Sequence, residues 1–109
     1  MPLTLSHQET DHDAVIALDG ELDLATASDL AELASELIKA GADNIIMDAE
    51  HLNFCDSSGL RTLVSIANDL RGTGGRVAIR NAQPIVLRVL ELTGLDRTVL
   101  VTQDPHIRP

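Results

Sequence analysis

Three stripes of apolar residues at helical spacing, interleaved with short apolar runs, constrain the fold of this chain more than any other feature. Leu30, Leu33, Leu37 and Ile38 form the first stripe, with Asp29, Glu32 and Glu36 between them. Leu60, Leu63, Val64, Ala67 and Leu70 form the second, and Val86, Val89 and Leu90 the third. Asn44 to Asp48, followed by a second apolar rise over Leu52 to Cys55, then Val77 to Ile79 and Thr98 to Thr102 lie between and after them; 44–48, 77–79 and 98–102 read as strands. Helices alternating with apolar strands define the α/β class with a mainly parallel sheet. Upstream, Leu3 to Gln8 alternates apolar and polar residues and Ala14 to Leu18 is a short apolar run. Asp11-His12-Asp13 between them is a connection of antiparallel-hairpin length, which puts a hairpin at one edge of the sheet.

Punctuation agrees with this segmentation. Thr26 with Asp29 three residues on resembles a capping box for the first helix, and Gly41 stops it. Gly72-Thr73-Gly74-Gly75 ends the second helix, Pro84 opens the third and Gly94 closes it. The expected architecture is a single domain over residues 1–109, with about five strands and three interleaved helices. Its core runs from about 3 to 101, and 102–109 is a tail. Two prolines in that tail, Pro105 and Pro109, make a normal C-terminal helix unexpected.

Size and charge then restrict function. At 109 residues the chain buries roughly two-thirds of its unfolded surface, enough for one core. That core is aliphatic, because the chain has no Trp or Tyr and only Phe54. A chain this poor in rings lacks the stacking platforms of single-strand nucleic-acid binders. The formal net charge of -9 repels phosphate backbones and anionic headgroups, so neither nucleic acid nor membrane is an expected partner. The charge is also uneven: residues 1–56 hold 13 acids and a single base, Lys39, whereas 57–109 hold 4 acids and 7 arginines. One acidic face is therefore available to a basic protein partner, or serves as a solvated face. With no membrane-length apolar run and no signal-peptide pattern at Met1-Pro2-Leu3-Thr4, a cytoplasmic location is expected.

Asp56-Ser57-Ser58-Gly59, just before the second stripe, is the most informative segment. An Asp or Ser here serves first as a helix cap. Two hydroxyls and a glycine exceed what one cap needs, and a first-turn hydroxyl at the end of a buried strand is open to a partner. Such a hydroxyl is also a plausible phosphate acceptor, since the amides and dipole of a helix start tolerate negative charge. Asp56 stands next to it and repels that phosphate.

Asp-Ser-Ser-Gly-Leu at 56–60, preceded by Gly-Glu-Leu-Asp at 20–23 and followed by Leu92-Thr93-Gly94-Leu95, resembles the STAS-domain family, specifically its bacterial anti-sigma factor antagonists. The resemblance runs from about Leu3 to Val101. It implies a mixed sheet with interleaved helices and no enzymatic activity or cofactor. It further implies a regulatory serine at Ser58, phosphorylated by an anti-sigma factor that is itself a serine kinase of histidine-kinase-like ATPase fold. The unphosphorylated domain then binds that kinase and frees the sigma factor, phosphorylation blocks binding, and a serine phosphatase resets the switch. The implied contact residues are Asp23, Asp56, Ser57, Ser58, Gly59, Leu60 and Arg61, on a monomer or weak dimer. Asp23 has a second reading as a pre-helix turn residue. The alternative function is that of a STAS subunit in a transporter or stress-sensing assembly, with the serine mainly a helix cap.

Other constellations are weaker. Asp48 after Ile45-Ile46-Met47 resembles a receiver phosphoacceptor, but the first strand has no acidic pair and the only lysine is Lys39. A hydrolase using Ser57 or Ser58 with His51 lacks the Gly-x-Ser-x-Gly elbow, and His51 reads as a polar loop residue. Cys55, the only cysteine, reads as a small buried hydrophobe. His7, His12, His51 and His106 lack metal-ligand spacing.

Overall fold

The computed structural model describes residues 2–102. Five strands, β1 (Thr4–Thr10), β2 (Asp13–Leu22), β3 (Asn44–Cys55), β4 (Val77–Arg80) and β5 (Leu100–Thr102), form one sheet in the order β1-β2-β3-β4-β5. Three helices alternate with them: α1 (Ala27–Lys39), α2 (Ser57–Arg71) and α3 (Pro84–Thr93). β1 pairs antiparallel with β2, and every later pair is parallel. The edge hairpin and mixed, mainly parallel sheet are those expected from the alternation of periods.

Sequential strand order with right-handed crossovers puts all three helices on the same face of the sheet. Ala14, Ile16, Leu18, Met47, Val77 and Ile79 point to that face and share one core with Leu30, Leu37, Leu63, Leu70, Val86 and Leu90 of the helices. The opposite face carries Val15, Ala17, Asp48 and Arg80. There Arg80 Nη2 lies 3.5 Å from Asp48 Oδ2, the two side chains being 20% and 21% exposed. Asn81 Nδ2 also donates to Asp48 Oδ1 at 3.4 Å. Asp48 is thus a mid-sheet ion-pair partner rather than a receiver-type acceptor at a strand end.

Several boundaries differ from the sequence reading. β2 continues beyond Leu18 because the alternation persists through the polar stretch, with Leu18, Gly20 and Leu22 all buried. The two apolar rises of 44–48 and 52–55 are one strand, β3. Register shifts against β2 between Ala17 and Asp19 and between Gly20 and Glu21 change the parity, so Ala49, Leu52 and Cys55 all turn inward. His51 therefore lies in a strand, opposite Asp19, and not in a loop. Thr98 and Val99 belong to the turn that closes on Leu95 O, so β5 begins only at Leu100. The capping box at Thr26 does not form, because Thr26 makes no side-chain bond to the helix. Its hydroxyl instead donates to Glu21 O at 2.8 Å and accepts from Asp23 N at 2.9 Å. Apart from Thr102, which ends β5, the tail expected to lack a helix lies outside the described residues.

Candidate functional site

In a parallel sheet every helix starts where a strand ends, so the starts of α1, α2 and α3 gather at the carboxyl ends of β2, β3 and β4. The register pairs Leu22 with Cys55, and Asp56 N donates to Leu22 O at 3.1 Å. This bond joins the turn that follows β2 to the one that follows β3. Asp23 and Ser58, far apart in sequence, are thereby brought to one end of the molecule.

Asp56 is the N-cap of α2, with extended backbone (φ -97, ψ -172). Its Oδ1 accepts from Ser58 N at 2.9 Å and from Gly59 N at 3.1 Å. Two orphan amides of the helix start are thus satisfied by one carboxylate, and neither serine is needed for capping. The side chains of Ser57, exposed, and Ser58, half-buried, have no hydrogen-bond partner among the described residues. Ser58 O accepts from Thr62 Oγ1 at 3.1 Å, as ordinary helix backbone does. The reading in which the serine is chiefly a cap therefore does not hold: Asp56 has that role.

Gly59 faces inward and is buried. A Cβ there would stand 2.7 Å from Leu22 Cγ and 2.8 Å from Cys55 Sγ, so the glycine lets α2 pack tightly on the ends of β2 and β3. Its missing side chain opens space toward the core and not toward a partner, which corrects the expectation of an accessible Gly59. Leu60 is half-buried against the core and Arg61 is exposed just past the first turn of α2. Asp23 is half-buried and its Oδ1 accepts from Ala25 N at 3.0 Å and Thr26 N at 3.2 Å, the turn role that was its second reading.

Burial raises the Cys55 thiol to about 12, with the charge of Asp56 adding to the shift, so Cys55 is a protonated, buried thiol. His51 is 70% exposed and stands 3.9 Å from Glu50, with nothing to orient it as a base for a serine. Among the described residues no group of three or more His, Cys, Asp or Glu side chains is placed to hold a metal ion. No helix among them is long and apolar enough to cross a membrane.

Sequence reasoning missed the apolar members of this end. Leu24 is 79% exposed in the turn after β2, Phe54 43% near the end of β3, and Ile85 57% on the first turn of α3. A hydrophobic residue in a polar turn, as in Asp23-Leu24-Ala25, was the available signal for the first. Phe54 was hidden by its place in an apolar rise, since the bulges that turn it outward are not local.

The family model for the STAS domain matches residues 4–108. An anti-sigma F factor antagonist of Paenibacillus polymyxa is 30% identical over 82 residues, covering 74% of this chain and 70% of that protein. The solved structure of the anti-sigma factor antagonist SpoIIAA in its unphosphorylated form superposes with a TM-score of 0.81 at 26% identity, over 93% of this chain and 90% of that one. The Bacillus cell fate determinant SpoIIAA in the phosphorylated form gives 0.72 at 26% identity, over 94% and 92%.

Proposed function

The chain belongs to the STAS domain family, and from that premise we propose that it is an anti-sigma factor antagonist switched by phosphorylation of Ser58. In the unphosphorylated form it binds an anti-sigma factor and frees the sigma factor. The anti-sigma factor is also the serine kinase, of histidine-kinase-like ATPase fold, and a serine phosphatase restores the binding form. The domain acts by occupancy in the cytoplasm and performs no chemistry of its own.

One observation carries this reading: Asp56 alone caps α2, which leaves the Ser58 hydroxyl without a structural role at an end of the molecule rimmed by exposed apolar side chains. Leu24 and Phe54 supply contact area for a partner, with Asp23, Leu60 and Arg61 around them. Phosphate on Ser58 adds a charge of about -2 at this surface. The amides of Ser58 and Gly59 are already taken by Asp56, so the phosphate would have to displace that carboxylate to use them. Arg61 is the only Lys or Arg between Lys39 and Arg71. Burying that charge in an interface built for a hydroxyl costs several kcal/mol, and about 1.4 kcal/mol already weakens binding tenfold.

The test is incubation with ATP and the cognate anti-sigma kinase, read by intact mass. One phosphate is expected on the natural chain and on Ser57→Ala, and none on Ser58→Ala. Absence of phosphate on the natural chain, or its persistence in Ser58→Ala, overturns the assignment. Ser58→Asp is expected to weaken the complex at least tenfold, and unchanged affinity would remove Ser58 from the interface.

A further inference from the structure

We propose that a cleft at the opposite end of the strands from Ser58 binds a compact phosphorylated polyanion. The cleft lies between the last turn of α2, the start of β4 and the turn leading into β5, and has a volume of about 530 Å³. That is within the range of about 300–1,000 Å³ typical of small-molecule sites.

Arg71, Arg76 and Arg97 line it from three separate segments, so three of the chain's eight Lys and Arg residues converge on one cleft in a protein of net charge -9. Asp96 is the only acidic residue in the lining. None of the three arginines forms an ion pair among the described residues, whereas Arg80 on the sheet is matched by Asp48. Complementing helix carbonyls accounts for Arg71 and Arg97, which stand in the last turns of α2 and of the 3-10 turn Leu95–Arg97. It does not account for Arg76, which lies in no helix and directly precedes β4.

Buried Val77 and Val99 form an apolar part of the lining, which limits water around any charge bound there. Guanidinium forks match phosphate oxygens in pairs, and several forks in one cleft suit linked phosphates better than a single charge. Backbone amides play little part, because those of Gly74 and Gly75 are already bonded to Arg71 O and Leu70 O. The recognition therefore rests on side chains, which makes it removable by substitution.

The test is titration of the isotope-labelled full chain with inorganic pyrophosphate at fixed ionic strength, followed by amide NMR. Saturable shifts are expected at residues 75–77 and 97–100, with those of 57–60 unmoved. The double variant Arg76→Gln/Arg97→Gln, shown to be folded by its unchanged remaining spectrum, is expected to weaken binding at least tenfold, while Lys39→Gln leaves it unchanged. Non-saturating shifts spread over the surface, or equal affinity in the double variant, would overturn the site. Tighter binding of citrate, or of an acidic peptide, than of pyrophosphate would overturn the phosphate assignment.

Discussion

Replacing Asp56 by alanine should cost stability, whereas replacing Ser58 by alanine should leave it nearly unchanged. Asp56→Ala strips the acceptor from Ser58 N and Gly59 N, bonded at 2.9 and 3.1 Å. Loss of an N-cap costs about 1 kcal/mol and up to about 2 in protein hosts. The carboxylate also faces the positive end of the α2 dipole, an interaction of about 0.3–1 kcal/mol. The expected loss is thus about 1–2 kcal/mol, and about 4–8 °C of Tm accompanies each kcal/mol in a domain near this size. Asp56→Asn keeps the acceptor and gives up the charge, so its loss should be the smaller. Ser58→Ala deletes a hydroxyl that bonds to nothing among the described residues, so it should stay within about 0.5 kcal/mol of the natural chain. Thermal melts by circular dichroism and urea titrations of the three variants measure this directly. If Ser58→Ala melts as low as Asp56→Ala, or Asp56→Ala melts with the natural chain, then the division of labour between cap and switch is wrong.

Two further outcomes follow from buried groups. The unfolded Cys55 thiol loses its proton near 9.0 but the folded one holds it to about 12. Between those values the unfolded state binds fewer protons, so stability is complete below pH 9 and falls as pH rises toward 12, by at most about 1.4 kcal/mol per unit. With no Tyr and one Lys to titrate in that window, the slope in urea titrations at successive pH values should vanish in Cys55→Ala; a slope that survives the substitution assigns it to another group. Asp48→Ala leaves the Arg80 guanidinium, 20% exposed, without its carboxylate and should cost about 1–3 kcal/mol in urea midpoint measurements. A change below about 0.5 kcal/mol, the ordinary surface value, would mean that the pair contributes nothing.

The elements were legible wherever their signal is local. Leu63 and Leu70 on one face of α2, Pro84 at the start of α3 and Gly94 in left-handed conformation at its end (φ 76) follow from period and backbone preference within a turn of helix. The order Asp56-Ser57-Ser58-Gly59 likewise marked the site. The sequence left open which of Asp and Ser does the capping, because either oxygen can reach an orphan amide. The misread Thr26 shows the same limit: its hydroxyl had a choice between helix and loop, and the geometry of the β2 turn drew it to Glu21 O.

By itself, then, the sequence determined the α/β class, the three helices, the edge hairpin and the location of the segment 56–59, since periodicity and capping chemistry act over a few residues. Tertiary structure alone decided what that segment faces. The parallel register of β2 and β3, with its shifts at Ala17/Asp19 and Gly20/Glu21, sets Leu22 beside Cys55. It brings the Asp23 turn to Asp56, turns Gly59 inward and leaves Phe54 outward. Parallel pairing of β3 with β4 and of β4 with β5 likewise gathers Arg71, Arg76 and Arg97 at the other end of the strands. These placements depend on pairing between strands more than twenty residues apart, where a shift of one residue reverses every face, and no local pattern records that choice.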